Sequence, residues 1–477
     1  MPKKRLAVWV GILLVLGLGA VASLRVRHLR WKEALGDPNP GVRLAALRRL
    51  SPTGDMDLLI RALQDENADI RLVAAQMLGC PGPDADEKVE ALVRALGDRH
   101  AGVRREAAEA LCLIGPEAAP ALYQALADKD PRVRAGAALA LGSDAGPKER
   151  RHRAEGEVKV IVPLLSGLLK DPDVQVRRNA AYTLGGLSME PEMGPKEMGI
   201  AMAALITALG DRDARVRVVA AADLELIGRD EEAKPMFRAA VPALCRALTD
   251  KDAKVRGQAA ATLEALGPQT EDAVPALIGA LQDTDERARG FAARALTKMG
   301  RQAKAAAVRP LVGVLKEGRD DARREAAYVL SEMGPVAARA VPALTEALLK
   351  DKDSEVRQRA AAALGGLGPG AKATVPVLMQ ALRDKGRSVR MRAAQALWRT
   401  SRQADPVVQA LVEALRRGDR SDREEAARLL AEIGPEARAA VPALLEARKD
   451  EPPGVREACD RALKEIDPKT AAEAGVP

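Results

Sequence analysis

Aromatic residues are nearly absent from this chain of 477 residues. Three Trp, three Tyr and two Phe together make up 2% of the sequence. A hydrophobic core must therefore be built from Ala, Leu and Val side chains. The same scarcity argues against binding of single-stranded nucleic acid, because that function uses aromatic side chains as platforms on which bases stack.

Histidine, cysteine and the common catalytic motifs are also scarce or missing. The three histidines are His28, His100 and His152, and none has a second His at metal-ligand spacing. The four cysteines lie far apart without a Cys-x-x-Cys pair, which is typical of buried free thiols. The chain has no Gly-Lys dipeptide, hence no P-loop, and no Gly-x-Ser-x-Gly elbow. We therefore predict no metal, no cofactor, no catalytic residue and no enzymatic activity.

Acidic residues are missing from the first 32 positions, which hold seven Lys and Arg residues. The whole chain has a formal net charge of +8. Outside these positions, 68 basic residues stand against 67 acidic ones. A nucleic-acid-binding protein needs a basic face, so an excess of charge confined to the N-terminus predicts no nucleic-acid partner.

Between those basic residues lies an uncharged stretch of nineteen residues, 6–24. This length crosses the hydrocarbon core of a bilayer, and basic residues after it hinder translocation of the following chain. We interpret 6–24 as a single-pass membrane anchor, with a basic N-terminus at 1–5 and a basic juxtamembrane segment at 25–36. The alternative is a signal peptide cleaved after Ala22, which would give a secreted or periplasmic protein. The sequence does not predict on which side of the membrane the rest of the chain lies, because both flanks of the segment are basic.

What the chain has in abundance is one repeated unit. It consists of an Asp, an Arg six residues later, two Ala at three and four residues after the Arg, and a Leu seven residues after it. The Leu follows every Arg, and the Asp and the Ala pair each occur in eleven of thirteen repeats. A period that settles at 33 or 34 residues predicts a solenoid in which each repeat packs on its neighbours. The thirteen arginines are Arg43, Arg71, Arg104, Arg134, Arg177, Arg217, Arg256, Arg289, Arg323, Arg357, Arg390, Arg423 and Arg456.

Each repeat contains two stretches of helical periodicity joined by a short polar turn. Val341 and Leu344 lie on the apolar stripe of a first helix, and a second helix begins near Val356. The small Ala pair lets two helix backbones approach closely. An Asp of the turn is expected to cap the second helix, and Gly at its end, as in Gly142 and Gly185, is expected to stop it.

The repeated frame Gly-Pro-Glu-Ala…Ala-Val-Pro-Ala-Leu…Asp…Val-Arg…Ala-Ala…Leu-Gly, for instance from Gly434 to Leu463, resembles the HEAT repeat. It is most similar to the short subtype of the phycobilisome-lyase HEAT-like group. The resemblance covers residues 37–466. It implies a right-handed α-solenoid of about thirteen helix pairs, and the absence of strand signals also predicts an all-α chain. We expect the hydrophobic helix 6–24 to precede this solenoid and a flexible tail at 467–477 to follow it. The resemblance implies a fold rather than an activity.

The recurrent Asp and Arg are interpreted as a structural ladder, in which each Arg reaches an Asp of its own or the neighbouring turn. The resemblance to HEAT proteins implies the same role. An acidic ligand held by the stripe of arginines is the alternative. Glu317 before Arg323 and Arg417 before Arg423 depart from the pattern and are expected to mark weaker rungs. The ladder residues are Asp128, Arg134, Asp171, Arg177, Asp211, Arg217, Asp250, Arg256, Asp283, Arg289, Asp351, Arg357, Asp384 and Arg390.

The period lengthens three times in succession, to 43, 40 and 39 residues, between Arg134 and Arg256. The added residues fall between a second helix and the following first helix, in segments 144–156, 188–198 and 228–235. Insertions in repeat arrays map to one face, often the binding face. Neutral drift of exposed loops is the alternative. The candidate partner-binding residues are Lys148, Arg151, His152, Met189, Met193, Met198, Glu231 and Lys234.

Together these features predict a membrane-tethered scaffold that holds protein partners on a long concave surface lined mainly by second helices. The identity of the partner and the oligomeric state are not predicted. The resemblance to the bilin-lyase group supplies an alternative of another class. That alternative is a bilin-lyase-like or chaperone-like activity on a partner protein, for which no catalytic residue is assigned.

Overall fold

The computed structural model describes residues 30–51, 54–80, 85–142, 156–190, 193–230, 234–449 and 453–476. Helices dominate these ranges, and no strand occurs in them. The described residues form two compact units, one up to Ile227 and one from Gly228 onward. Within each unit, helix pairs stack so that second helices of successive repeats pack against one another. The all-α class and the solenoid of helix pairs are therefore confirmed.

The helix bounds follow the repeat closely. The first helices of the pairs are Met56–Ala62, Ala85–Ala95, Ala119–Ala125, Glu157–Leu168, Pro195–Ala208, Val241–Ala247, Val274–Ala280, Arg301–Glu317, Val341–Lys350, Val375–Ala381, Ala404–Arg417 and Val441–Ala447. The second helices are Pro40–Leu47, Ala68–Leu78, Ala101–Ile114, Pro131–Gly142, Val174–Leu187, Ala214–Gly228, Ala253–Leu266, Glu286–Lys298, Asp320–Glu332, Ser354–Gly366, Arg387–Ser401, Arg420–Ile433 and Pro453–Ile466. Short 3-10 segments precede six of the first helices: Pro116–Ala118, Lys234–Ala239, Gly267–Ala273, Gly334–Ala340, Gly368–Thr374 and Gly434–Ala440.

Side chains of the polar turn start the second helices. In the turn before Ser354–Gly366, Asp353 is the N-cap, and its carboxylate accepts a hydrogen bond of 2.8 Å from the backbone N–H of Glu355. Asn67 caps Ala68–Leu78 in the same way. Such caps satisfy N–H groups that have no partner within the helix. The capping residue lies two positions after the Asp of the repeat, so that Asp keeps its side chain for another contact.

The core is made of the small and branched residues that the repeat supplies. In one typical second helix, Ala74, Ala75 and Leu78 are completely buried. Burial of a Leu side chain contributes about 2 kcal/mol, while Ala allows the backbones of neighbouring helices to approach. The apolar stripe of each helix therefore specifies both the stacking and its spacing.

Two glycines have a role that differs from the one expected. Gly142 is the last residue of its helix and Gly185 lies within its helix, both at points of close approach and neither with a left-handed φ. A methyl group on Gly142 would overlap the side chain of Thr183, and one on Gly185 would overlap Cγ of Asp223. Gly434, in contrast, has φ of 72° after the helix Arg420–Ile433, which a residue with a Cβ rarely adopts.

The ends of the described chain pack on the repeats. The Arg49 guanidinium lies 5.3 Å from the ring centre of Trp31, and Lys32 Nζ lies 3.3 Å from the Asp55 carboxylate. At the other end, the segment expected to be a flexible tail contains the helix Pro468–Glu473, in which Ala471 is buried. Asp467 caps this helix, which explains why it forms.

The prediction of a single-pass membrane location needs correction. Among the residues that the structure describes, no helix has the length and apolar character needed to span a membrane. These helices are amphipathic: one face carries an apolar stripe that packs in the core, and the opposite face carries charged residues. The segment 6–24, interpreted as the anchor, and the proposed cleavage site at Ala22 lie outside the described residues.

Candidate functional site

The Arg and Asp of successive repeats meet in a two-sided clamp, shown well by Arg71. Its Nη1 donates hydrogen bonds to the backbone oxygens of Asp65 at 2.8 Å and Glu66 at 3.0 Å, both in its own turn. Its Nε and Nη2 donate to the two carboxylate oxygens of Asp98, in the next repeat, at 2.7 and 2.9 Å. One guanidinium therefore joins two adjacent turns. The planar fork of Arg fits this geometry, which Lys does not supply.

The same Arg–Asp pairing between neighbouring repeats is seen in seven rungs, with hydrogen bonds of 2.6–3.0 Å. Their side chains are only 3–15% exposed. The carboxylate always comes from the neighbouring repeat. Arg256, for example, binds the carboxylate of Asp283 and only the backbone oxygen of Asp250. The rungs are Arg43–Asp65, Arg71–Asp98, Arg134–Asp171, Arg177–Asp211, Arg256–Asp283, Arg323–Asp351 and Arg357–Asp384.

The rung aspartate also shapes its own turn. Asp98 Oδ1 accepts a hydrogen bond of 2.7 Å from the backbone N–H of His100 while it binds Arg71. Burial works to raise the pKa of the Asp98 carboxyl, but the hydrogen bonds from Arg71 and His100 outweigh it, so this pKa lies below its usual value. Asp128 and Asp250 make the same turn contact, with the N–H groups two residues later.

Where the sequence departs from the pattern, the rung changes. Arg289 would meet Glu317, and instead its Nη2 lies 3.5 Å from Asp321. Its buried Nε has no hydrogen-bond partner among the described residues. Opposite Arg390, the rung position is occupied by Arg417, which supplies no carboxylate. Arg217 donates to the backbone oxygen of Asp211 in its own turn at 2.8 Å, as the other ladder arginines do.

The candidate partner-binding residues of the three insertions differ in whether the structure describes them and in how exposed they are. In the first, Lys148, Arg151 and His152 lie outside the described residues, as does Glu231 in the third. In the second, Met189 is 62% exposed and Met193 is half-buried. Met198 is only 7% exposed because the helix Pro195–Ala208 extends into the insertion and turns this residue into the core. Met198 is therefore corrected from a surface contact to a core residue.

Lys234, the last of the candidate residues, begins the 3-10 segment Lys234–Ala239. Near the insertions, the structure also exposes apolar side chains that the repeat pattern did not single out. Val160 and Leu164, 48% and 40% exposed, lie one turn apart on the helix Glu157–Leu168. Tyr182 is 56% exposed on the helix Val174–Leu187 of the same repeat. A chain-wide view of helical periodicity could have found Val160 and Leu164, since both fall off the apolar stripe.

One buried carboxyl was missed from the sequence. Asp223, on Ala214–Gly228, is 7% exposed, and its Oδ2 has no hydrogen-bond partner among the described residues. Burial raises the pKa of Asp223 to about 8. Its position is six residues after Arg217, where other repeats place Thr183, Thr262 or Ala396. An Asp at a core position of the repeat was the available signal.

The described part of the chain offers few candidate metal ligands and reactive thiols. No group of three or more His, Cys, Asp or Glu side chains there is arranged to hold a metal ion. Cys112 and Cys459 are buried, and Cys80 is exposed. Burial raises the pKa of the Cys459 thiol to about 11, which keeps it in the unreactive thiol form.

Comparison with known proteins agrees with the repeat geometry. A family model described as HEAT repeats matches residues 29–112, 89–151, 161–242, 241–331 and 341–423, which is most of the chain. The chain belongs to the HEAT-repeat family. A second model, the PBS lyase HEAT-like repeat, matches residues 322–350, so the resemblance seen in the sequence is confirmed. No curated protein matches the chain.

Solved HEAT-repeat structures share the fold at low identity. Kap121p bound to the extreme C-terminus of the protein phosphatase Cdc14p has a TM-score of 0.65 and 16% identity; the match covers 93% of this chain and 53% of Kap121p. Importin beta in an ammonium sulfate condition has a TM-score of 0.57 and 17% identity, covering 94% of this chain and 62% of that one. The chain thus spans about half the length of Kap121p. These matches show the fold alone.

Proposed function

We propose that this HEAT-repeat protein is a scaffold that binds one or more protein partners and has no catalytic activity of its own. The observation that carries the proposal is the two-sided clamp between repeats. It commits the arginines of the intact rungs to the stack, while the remaining helix surfaces stay available for contacts. A protein of similar fold, Kap121p, has been solved with the extreme C-terminus of the protein phosphatase Cdc14p bound to it.

We place the partner-binding region in the repeat between the first two insertions, within residues 157–190. Four of the eight large apolar side chains that are exposed among the described residues lie there. Exposed apolar surface that the core does not use is typical of protein interaction sites. These four side chains are Val160, Leu164, Tyr182 and Met189.

A pull-down with the immobilised full chain, quantified by mass spectrometry, tests this region. Replacing Val160, Leu164 and Met189 together by Ser should abolish partner recovery, because apolar contacts are lost while helix content is kept. The matched control replaces three comparably exposed residues in other repeats, Val42, Leu349 and Met379, by Ser. Equal partner recovery by both triple variants, with unchanged circular dichroism, would reject this binding region. Specific recovery of no protein by the unmodified chain would reject the scaffold itself.

A bilin-lyase-like or chaperone-like activity on a partner protein is a second candidate. One observation favours it, namely the match of residues 322–350 to the PBS lyase HEAT-like repeat. That match covers about one repeat, which explains why we rank the scaffold first. Visible absorption from a chromophore that copurifies with the protein would favour the lyase-like function.

A further inference from the structure

Two ladder arginines in the described residues, Arg104 and Arg390, make only the own-turn half of the clamp. Asp128 is present at the rung position opposite Arg104, whereas the position opposite Arg390 holds no carboxylate. Arg390 lies on the helix Arg387–Ser401, half-buried, and its Nη1 donates to the backbone oxygens of Asp384 at 2.9 Å and Lys385 at 3.4 Å. This is the own-turn half of the clamp found in the intact rungs. In the next repeat, however, Arg417 occupies the position of the rung Asp. Within the described residues, Nε and Nη2 of Arg390 have no hydrogen-bonded carboxylate.

The vacant side of this rung opens on a cavity of about 100 Å³. Arg387, Arg390 and Arg417 contribute its basic lining, Glu413 and Asp422 contribute its acidic lining, and the rest is apolar apart from Gly418. Liquid water takes up about 30 Å³ per molecule, so the cavity has room for a carboxylate group and its first methylene. The apolar residues that line it are Leu382, Met391, Ala394, Ala410, Leu411 and Ala414.

The acidic side chains around the cavity are engaged with other arginines. Arg387 Nη1 lies 3.2 Å from Asp419 and 3.3 Å from Asp422. Arg417 Nη1 lies 3.4 Å from Glu413. The departure at Arg289 was resolved within the chain by Asp321, but no described carboxylate takes that place for Arg390. Of the three arginines that line the cavity, Arg390 is the one without a carboxylate partner among the described residues.

We propose that this open rung, defined by Arg390, Arg417 and the cavity between them, binds the carboxylate of an Asp or Glu side chain from an acidic segment of a partner protein. In six of the seven intact rungs, an Arg anchored in the same way by two backbone oxygens takes a carboxylate with Nε and Nη2. Bidentate Arg–carboxylate pairs are among the stronger hydrogen-bonded contacts. The inference rests on the proposed scaffold function and specifies the chemistry of its partner.

The test uses the full chain and a fluorescein-labelled peptide of alternating Asp and Ala, with an Asn-for-Asp peptide as the uncharged probe. Fluorescence anisotropy at low ionic strength should show binding of the Asp peptide only, since salt screens exposed charges. Arg390→Gln should weaken binding roughly tenfold to a hundredfold, as expected for the loss of a charged hydrogen-bonded pair. Arg399→Gln removes the same charge from an exposed site on the same helix and should change binding by less than about twofold.

A second pair of variants separates the rung from net charge. Arg417→Asp and Arg399→Asp change the charge equally, but only the first places a carboxylate opposite Arg390. Arg417→Asp should abolish peptide binding and raise the thermal unfolding midpoint, because the chain then completes its own rung. Wild-type binding by Arg390→Gln, or equal weakening by both Asp variants, would overturn the proposal. The pull-down with the unmodified chain tests the scaffold function separately from this peptide experiment. Failure of the open rung is therefore distinguishable from failure of the scaffold.

Discussion

Replacing the two members of one rung tests how the repeats are held together. Arg357 and Asp384 are a suitable pair, because their side chains are 3% and 13% exposed and joined by hydrogen bonds of 2.9 and 3.0 Å. Removing either partner leaves the other charge buried without its counterion. We expect Arg357→Ala or Asp384→Ala to cost about 3 kcal/mol of unfolding free energy. The double variant should recover about 2–3 kcal/mol of the summed cost, the size expected of charged hydrogen bonds.

Asp351, six residues before Arg357, is the matched control position for this prediction. Arg357 donates only to the backbone oxygen of Asp351, at 2.9 Å, while the Asp351 carboxylate binds Arg323. An Ala at position 351 keeps that backbone oxygen. The coupling between Arg357→Ala and Asp351→Ala should therefore be below about 0.5 kcal/mol, as for side chains that share no contact.

Urea unfolding followed by far-UV circular dichroism gives these free energies, provided that all variants keep the same dependence on denaturant. Because arrays of repeats can unfold in parts, hydrogen exchange of residues 350–357 gives a local readout of the same rung. Additivity of the Arg357 and Asp384 substitutions within about 0.5 kcal/mol would refute the inter-repeat clamp. A larger coupling to Asp351 than to Asp384 would show that the rung is closed within one turn.

Two further predictions concern the contact between Gly185 and Asp223. Gly185→Ala should destabilise the protein by about 1–3 kcal/mol, because the added methyl overlaps the Asp223 side chain. The control is Gly167→Ala, at an exposed helical site with no atom near the new methyl. This control should stabilise the protein by about 0.5–1 kcal/mol. Equal effects in thermal or urea unfolding would contradict this close packing. Burial raises the pKa of Asp223 to about 8 from its ordinary 3.8. Between these two pH values the folded state holds a proton that the unfolded state has lost. The free energy of unfolding should therefore fall by about 1.4 kcal/mol per pH unit as the pH rises from about 4 to about 8. Asp223→Asn should remove that slope between pH 4 and 8, and a slope that survives in urea titrations of the Asn variant would assign it to another group.

Local pattern determined the helix pairs and their stacking. The Ala pair, the Leu seven residues after each Arg and the polar turn each act over a few residues, so periodicity alone predicts them. The same holds for the HEAT-like frame, which the family match confirms. The sequence also indicated the two irregular rungs at Glu317 and Arg417, but not the one at Arg104, because the next repeat has the regular Asp128.

Tertiary structure decided which side chains meet. The rung partners lie 22 to 37 residues apart, and spacing within one repeat could not distinguish the Asp of the same turn from that of the next. The own-turn Asp is excluded because its backbone oxygen, not its carboxylate, faces the Arg. Likewise, Met198 was buried by the extension of a helix into an insertion, and Asp223 by the close approach of Gly185. In each case the outcome depends on the distance and direction between packed helices, which local sequence does not encode.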